Sequence, residues 1–251
     1  MYQFFVEPSQ INIHDRCVTI QGSDVNHIRN VLRMKPGEEL NVSNGQDGKE
    51  YRCAIEAFAE DQVICQLRFV KEDNVELPSR VYLFQALPKA DKMELIIQNA
   101  VELGVYRIIP VAAKRCVVKL DEKKGAARTA RWQTIAQSAA KQSRRGVIPE
   151  VSGVMDFAQA VKFAADMDVK LIPYELAEGM DRTRELIDRL EPGQDIALFI
   201  GPEGGFEGSE IQLAMDSGVI PITLGKRILR TETAGMTVLS WIMYRLEGEQ
   251  P

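Results

Sequence analysis

Two rhythms of apolar residues succeed one another along this chain. Within residues 1–70 the runs are short and rich in β-branched residues, and CVTI, ELNVSNG, EYRCAIEAF and QVICQLRFV each predict a strand. NGQDG, lying between two of them, is a hairpin sequence. One stretch differs: in SDVNHIRNVLRM, Ile28, Val31 and Leu32 recur at helical spacing behind Ser23, a residue suited to capping. That spacing predicts a helix with Arg29 and Arg33 four apart on its opposite face. KEDNVELPS, residues 71–79, is charged, contains a proline and reads as a linker.

From residue 80 strands and helices alternate. RVYLFQAL, RIIPVAA, VKLIPY, IALFI and GVIPITLG are compact apolar runs that predict strands. Between the first two, Met93, Ile96, Ile97, Ala100 and Val101 follow helical spacing, and Gly104 closes that helix. Residues 121–143 predict a long, basic, Ala-rich helix. Ser209 is placed as the cap of a helix through Met215, and a last helix is expected from about Thr233 to Leu246, with Trp241 and Met236, Leu239, Met243 and Leu246 on a core or dimer face. Fully apolar strands alternating with helices imply a parallel sheet covered on both faces, hence an α/β domain. The expected division is a β-rich domain over residues 1–72 and an α/β domain over residues 73–251.

Composition adds little to this picture, and charge adds more. Hydrophobic residues make up 45% and charged residues 27% of 251 positions, with a net charge of -5. Those values describe an ordinary globular chain. The charge is uneven: residues 89–145 hold thirteen Lys and Arg against five Asp and Glu. A basic segment in an acidic chain suits a polyanion or a solvated helix surface. Four scattered cysteines (Cys17, Cys53, Cys65, Cys116) without a CxxC pair suggest reduced thiols, and a count of two histidines argues against a His-based metal site or triad, so no metal is expected. The first residues lack a basic, apolar leader, and no run approaches ~18 apolar residues, so a cytoplasmic protein without a membrane partner is expected.

The candidate chemistry sits after two of the predicted strands. IALFI runs directly into GPEGG, at the strand end where open α/β sheets place ligands. The loop matches neither GxxxxGK[ST] nor GxGxxG. Glu203 within it repels phosphate and favours a ligand with hydroxyls and positive charge. A tight strand-to-helix turn alone also accounts for the glycines. The second stretch, ITLGKRILRTETAG, leaves a strand at Leu224-Gly225, passes through irregular backbone and opens the last helix. There Glu232 suits the helix N-terminus, and Arg230 beside it forms either a surface ion pair or part of a site.

FIGPEGGFEGSE together with LGKRILRTETA resembles the motif pair of SPOUT-class methyltransferases. The whole chain resembles the 16S rRNA uracil-N3 methyltransferase family more closely, because HIRNVLRMKPGEEL, LPKADKMELIIQNAVELGV, KRCVV and AKQSRRGVIPEV match that family's pattern in order. The resemblance implies a small N-terminal PUA-like RNA-binding β-barrel and a C-terminal parallel-sheet domain with a deep trefoil knot that binds S-adenosyl-L-methionine. It assigns the cofactor to Gly201, Pro202, Glu203, Gly204 and Gly205, and to Leu224, Gly225, Ile228, Leu229, Thr233 and Ala234. It implies a homodimer and 16S rRNA, or the small ribosomal subunit, as partner.

Within that resemblance Arg230 is the candidate for stabilising charge on the target base, with Glu232 beside it to hold the arginine. Arg29, Arg33, Lys89, Lys92, Arg115 and Arg145 are the candidate RNA contacts. No general base is assigned, since neither histidine lies in the knot-forming segments. Three positions in two stretches depart from the family: it has Gly where Ala90 stands, and Glu-Gln-Ser-Gly-Arg where Lys141–Arg145 stands. The alternatives are a SPOUT enzyme acting on a ribose 2′-hydroxyl and a non-catalytic ribosome-associated RNA-binding protein.

Overall fold

The computed structural model describes residues 1–72, 75–177 and 179–247. The chain forms two compact units, Met1–Glu76 with Ala140–Ile148, and Leu77–Ala139 with Pro149–Pro251. Residues 140–148 thus belong with the first unit, although they follow more than sixty residues of the second. Of the expected linker, Lys71 ends a strand, and Asp73 and Asn74 lie outside the described residues.

In the first unit, strands β1 (Gln3–Phe5), β2 (Ile11–Asn12), β3 (Cys17–Gln21), β4 (Glu39–Ser43), β5 (Glu50–Phe58) and β6 (Gln62–Lys71) form one sheet in the order β1-β4-β5-β6-β3-β2. β1 and β4 are parallel, and the remaining pairs are antiparallel. Alternate residues point inward, as the two-residue strand period requires: Val18 and Ile20, Leu40 and Val42, Cys53 and Ile55, Val63 and Cys65 share one core. Each such side chain contributes roughly 1.5–3 kcal/mol. Burial pushes the Cys53 and Cys65 thiols up to about 12, so both are protonated and inert at neutral pH. In the β4–β5 loop the Asn44 side chain accepts the amides of Gln46 and Asp47, both at 3.0 Å, which is the local reason NGQDG turns.

The helical prediction over residues 23–34 needs correction. Helix α1 is only Ser23–Asn26, capped by Gly22, and it relaxes into a π-type turn over His27–Val31. Ile28 is buried, but Val31 is 60% exposed. Arg33 sits beyond the turn at φ 54, so it does not share a helical face with Arg29. Arg29 donates to the carbonyls of Ala59 and Glu60 and lies 5.3 Å over the Phe58 ring. It ties down the β5–β6 hairpin instead of forming a free basic stripe.

Arg145 is a second correction. It is 4% exposed, pairs with Glu76 through Nε and Nη2, and its carbonyl accepts from Gln3 Nε2 at 2.8 Å. A guanidinium so enclosed serves the fold and not an RNA surface. Lys141 reaches Asp24 at 2.9 Å and stands 4.4 Å over the Phe4 ring, so the lysine in the family's Glu position has a local partner. At Gly146 a Cβ would come within 2.5 Å of the Gly48 carbonyl oxygen, so only glycine allows this approach.

The second unit is built on parallel strands β7 (Arg80–Ala86), β8 (Arg107–Ala112), β9 (Glu150–Val151), β10 (Met155–Asp156), β11 (Val169–Pro173), β12 (Asp195–Ile200) and β13 (Ile220–Ile222). Their order is β10-β8-β7-β12-β11-β13, with β9 also on β8, and every pairing is parallel. Helices α2 (Lys92–Glu102), α3 (Glu122–Gln142), α4 (Phe157–Phe163), α5 (Met180–Asp188), α6 (Gly208–Asp216) and α7 (Thr231–Glu247) connect and cover them. α7 packs against α2 and α5, and α4 against α6. All of β12 after Asp195 is buried, which explains its unbroken apolar run. Phe84 and Phe199 stack at 4.4 Å in the middle of the sheet. This is the parallel α/β sheet that the unbroken apolar strands predicted.

Helix starts differ in detail from expectation. α6 is capped by Glu207, which forms a reciprocal capping box with Glu210, and not by Ser209. α7 begins two residues early, at Thr231, and its buried residues are Thr231, Ala234, Gly235, Val238, Leu239, Ile242 and Leu246; Met236, Trp241 and Met243 are half-buried.

Two of the three departures, Ala90 and Arg144, fall on left-handed backbone. Ala90 has φ 53 and Arg144 has φ 61. A Cβ there costs about 1–2 kcal/mol, which is why glycine belongs at both positions. Because glycine also gains freedom in the unfolded chain, Ala90→Gly and Arg144→Gly are each expected to stabilise the protein by about 0.5–1 kcal/mol. Urea unfolding measures this, and a loss of stability contradicts the assignment of strain.

Candidate active site

Among the loops at the carboxyl edge of the parallel sheet are residues 87–91 after β7, 113–121 after β8, 201–207 after β12 and 223–230 after β13. This is the edge at which open α/β sheets bind ligands. The loop after β12 folds tightly on itself. Gly205 has φ 67, and its amide donates to the Pro202 carbonyl at 2.9 Å. A Cβ on Gly201 would stand 3.3 Å from the Phe206 ring and 3.4 Å from Gly205 Cα. Gly204 faces Arg115, whose guanidinium donates to the Gly204 carbonyl at 3.0 Å. Lys114 fastens the same neighbourhood through Glu207 at 2.8 Å and, by its amide, Glu210 at 2.8 Å.

The structure brings the two predicted segments together at the start of α7. The Thr231 hydroxyl donates to the Gly201 carbonyl at 2.6 Å and accepts from Gln85 Nε2 at 2.9 Å. Gln85 and Thr231 are both buried, so one hydrogen-bonded chain ties the ends of β7 and β12 to α7. Neither residue stands out in the sequence as part of a site. Gln85 is the lone polar side chain inside RVYLFQAL, and its burial is the available signal. Thr231→Val leaves the half-buried Gly201 carbonyl and the buried Gln85 amide without this partner and is expected to cost about 2–4 kcal/mol. Thr231→Ser keeps the hydroxyl and should lose less than half of that. Equal losses in thermal melts contradict the hydrogen-bond account.

A second fastening is electrostatic. Lys92 Nζ lies 3.2 Å from Glu203 Oε1 and 3.3 Å from Glu232 Oε2. Glu203 also accepts the Lys89 amide at 3.1 Å. Burial raises the Glu203 carboxyl, but hydrogen bonds from its own amide and that of Lys89, with Lys92, outweigh it and hold it below the usual carboxylate range. The hydrogen bond that Lys92 donates to Glu203 pushes the Lys92 ammonium up, against the opposing effect of desolvation. Two expectations change here. Glu232 pairs with Lys92 instead of holding Arg230, and Lys92 is committed to carboxylates instead of to RNA.

The other predicted residues fall as follows. Ala234 is buried in the first turn of α7, Thr233 is half-buried there, and Leu224 and Leu229 are half-buried in the irregular segment. Gly225 has φ 97, and Ile228 is 92% exposed. Lys89, Arg115 and Arg230 are exposed. Among the described residues the amides of 226–230 donate to no group of the protein. Glycine-opened backbone, free amides, half-buried leucines and two carboxylates sharing one ammonium fit an uncharged polar nucleoside joined to a cationic centre. A phosphate would meet both carboxylates. No cluster of His, Cys, Asp and Glu suited to a metal occurs among the described residues.

Comparison with known proteins agrees with this geometry. The family described as RNA methyltransferase domain matches residues 75–243, and RNA methyltransferase PUA domain matches residues 20–68. Ribosomal RNA small subunit methyltransferase E of Bacillus subtilis is 37% identical over 251 residues, covering 98% of each chain. The crystal structure of ribosomal RNA small subunit methyltransferase E from Neisseria gonorrhoeae bound to S-adenosyl methionine superposes with a TM-score of 0.83, at 31% identity over 97% of each chain. A putative methyltransferase from Legionella pneumophila, in complex with the bound cofactor SAM, gives 0.78 at 35% identity, covering 97% of this chain and 95% of that one.

Fold, loops and likenesses together define an RNA-modifying enzyme of the SPOUT class. This chain belongs to the RNA methyltransferase family that carries an N-terminal PUA domain. No helix among the described residues is long and apolar enough to cross a membrane.

Proposed function

We propose that this protein, acting in the cytoplasm as a homodimer, transfers the methyl group of S-adenosylmethionine to N3 of a uridine in 16S rRNA of the small ribosomal subunit. The observation that carries the reading is the joining of the loop after β12 to the start of α7 through Thr231 and Lys92. The likeness to the Bacillus subtilis and Neisseria gonorrhoeae enzymes supports the RNA target and the methyl donor.

Gly201, Pro202, Glu203, Gly204 and Gly205 would hold the donor on one side, and Leu224, Gly225, Ile228, Leu229, Thr233 and Ala234 on the other. The bound donor supplies an activated methyl group on a sulfonium. The chain's own residues bind, orient and stabilise. Held geometry alone supplies roughly 7–11 kcal/mol of such barriers in favourable cases. As N3 loses its proton, negative charge grows on O2 and O4 of the base. Arg230, exposed and without an ion-pair partner among the described residues, is the group proposed to meet that charge. Glu232 acts one step removed, by fixing the helix start from which Arg230 projects. Arg33 on the first unit, and Lys89 and Arg115 on the second, remain proposed RNA contacts.

The test supplies methyl-labelled S-adenosylmethionine with unmodified 30S subunits and, separately, with naked 16S rRNA. Methylated N3 cannot pair, so reverse transcription should stop at one uridine. Label on a ribose oxygen, or no transfer to either substrate, overturns the reading.

A further inference from the structure

We propose that Lys92 is a positioning residue of the donor site: its ammonium, seated between Glu203 on the loop after β12 and Glu232 on the first turn of α7, sets the separation of the two donor-binding segments. This rests on the reading that those segments bind S-adenosylmethionine.

The two carboxylates come from residues 29 positions apart, and both lie within 3.3 Å of one nitrogen. The three side chains are only 31%, 25% and 13% exposed, for Lys92, Glu203 and Glu232 in turn. Solvent therefore screens them less than a surface pair. Lys92 opens α2, a helix whose Met93, Ile96 and Ile97 are buried, so its stem has a rigid base. Thr231 already hydrogen-bonds the same loop, but through the Gly201 carbonyl at its root. Lys92 grips the loop two residues further on, where the backbone is exposed. The hydroxyl fixes where α7 begins, and the ammonium fixes how far the tip of the loop stands from it.

The surrounding charges do not replace it. Arg115 is turned to the Gly204 carbonyl, to which it donates from Nη1, and Lys114 is held by Glu207 and Glu210. Lys89 offers Glu203 its amide, while its side chain is exposed. Asp91, just before Lys92, adds negative charge, and the Cys116 thiol, which senses Glu203 and Glu210, is pushed up by burial and stays neutral. Arg230 is two residues from Glu232 and exposed. Removing the ammonium therefore leaves two carboxylates that had each stood within 3.3 Å of the same nitrogen, and their repulsion opposes the close approach of the two segments. That repulsion ends when one of them takes a proton. In the native protein the amides of Glu203 and Lys89, joined by the Lys92 ammonium, keep Glu203 ionised to lower pH, so donor affinity should stay level over the same range.

The experiment measures the binding of labelled S-adenosylmethionine by equilibrium dialysis from about pH 7 to about pH 5, a window in which an unperturbed carboxylate stays largely ionised. The unaltered protein should bind with nearly constant affinity. Lys92→Met should bind about tenfold more weakly at pH 7 and recover as the pH falls. Lys92→Met combined with Glu232→Gln, which removes the repulsion, should regain most of the affinity at pH 7 and lose the pH dependence. The double variant also keeps the proposal readable where the single variant fails to fold. Level, native-like binding by Lys92→Met overturns the proposal, as does a double variant no better than the single one. Absence of binding by the unaltered protein overturns the proposed function instead.

Discussion

Glu76→Ala should cost the folded protein about 3–5 kcal/mol. The carboxylate accepts from Nε and Nη2 of Arg145, whose side chain is 4% exposed, and from the Val147 amide at 3.3 Å. Truncation takes the Glu76 carboxylate away from a buried guanidinium, and desolvation of that charge is what makes the loss large. Replacing both partners together, Glu76→Leu with Arg145→Leu, removes the charge as well and should cost less than either single change. Urea unfolding gives the numbers. If Glu76→Ala instead unfolds like the parent while RNA affinity falls, Arg145 is an RNA contact after all.

The second large effect concerns turnover. Arg230→Ala should lower the rate of methyl transfer about a hundredfold, the size seen when one preorganised donor to a developing oxyanion is lost. Affinity for S-adenosylmethionine should stay within about twofold, because the Arg230 side chain has no partner in the loop after β12 among the described residues. Single-turnover kinetics alongside equilibrium binding separates the two. Weakened donor binding with an unchanged single-turnover rate means that the arginine shapes the pocket and does not meet the base.

How far the sequence carried depended on whether a signal was local. β7, β8, β11 and β12 were legible because an unbroken apolar run has few other uses, and α2 because five buried residues fell on one stripe. α4 and α5 were missed. They are only seven and nine residues long, and α5 carries Asp, Arg and Glu with just Thr183 and Ile187 buried. The π-type turn after α1 was illegible, since Arg33 leaves the helix at a φ that no arginine advertises. In the site, the glycine loop and the start of α7 could be read as candidates, but what joins them could not. Thr231 lies thirty positions from Gly201 and Gln85 more than a hundred before it, and periodicity carries no such pairing. For the same reason Arg145 and Lys92 read as basic surface, when their acidic partners stand 69 positions away for one and more than a hundred for the other.

The joining of residues 201–205 to residues 224–234 around a single methyl donor is tested most directly by a crystal structure of this protein grown with S-adenosylmethionine. The predicted result is density for the donor against the backbone of both segments, with Thr231 still on the Gly201 carbonyl and Lys92 between its two carboxylates. Donor density elsewhere on the molecule, with these loops bare, contradicts it.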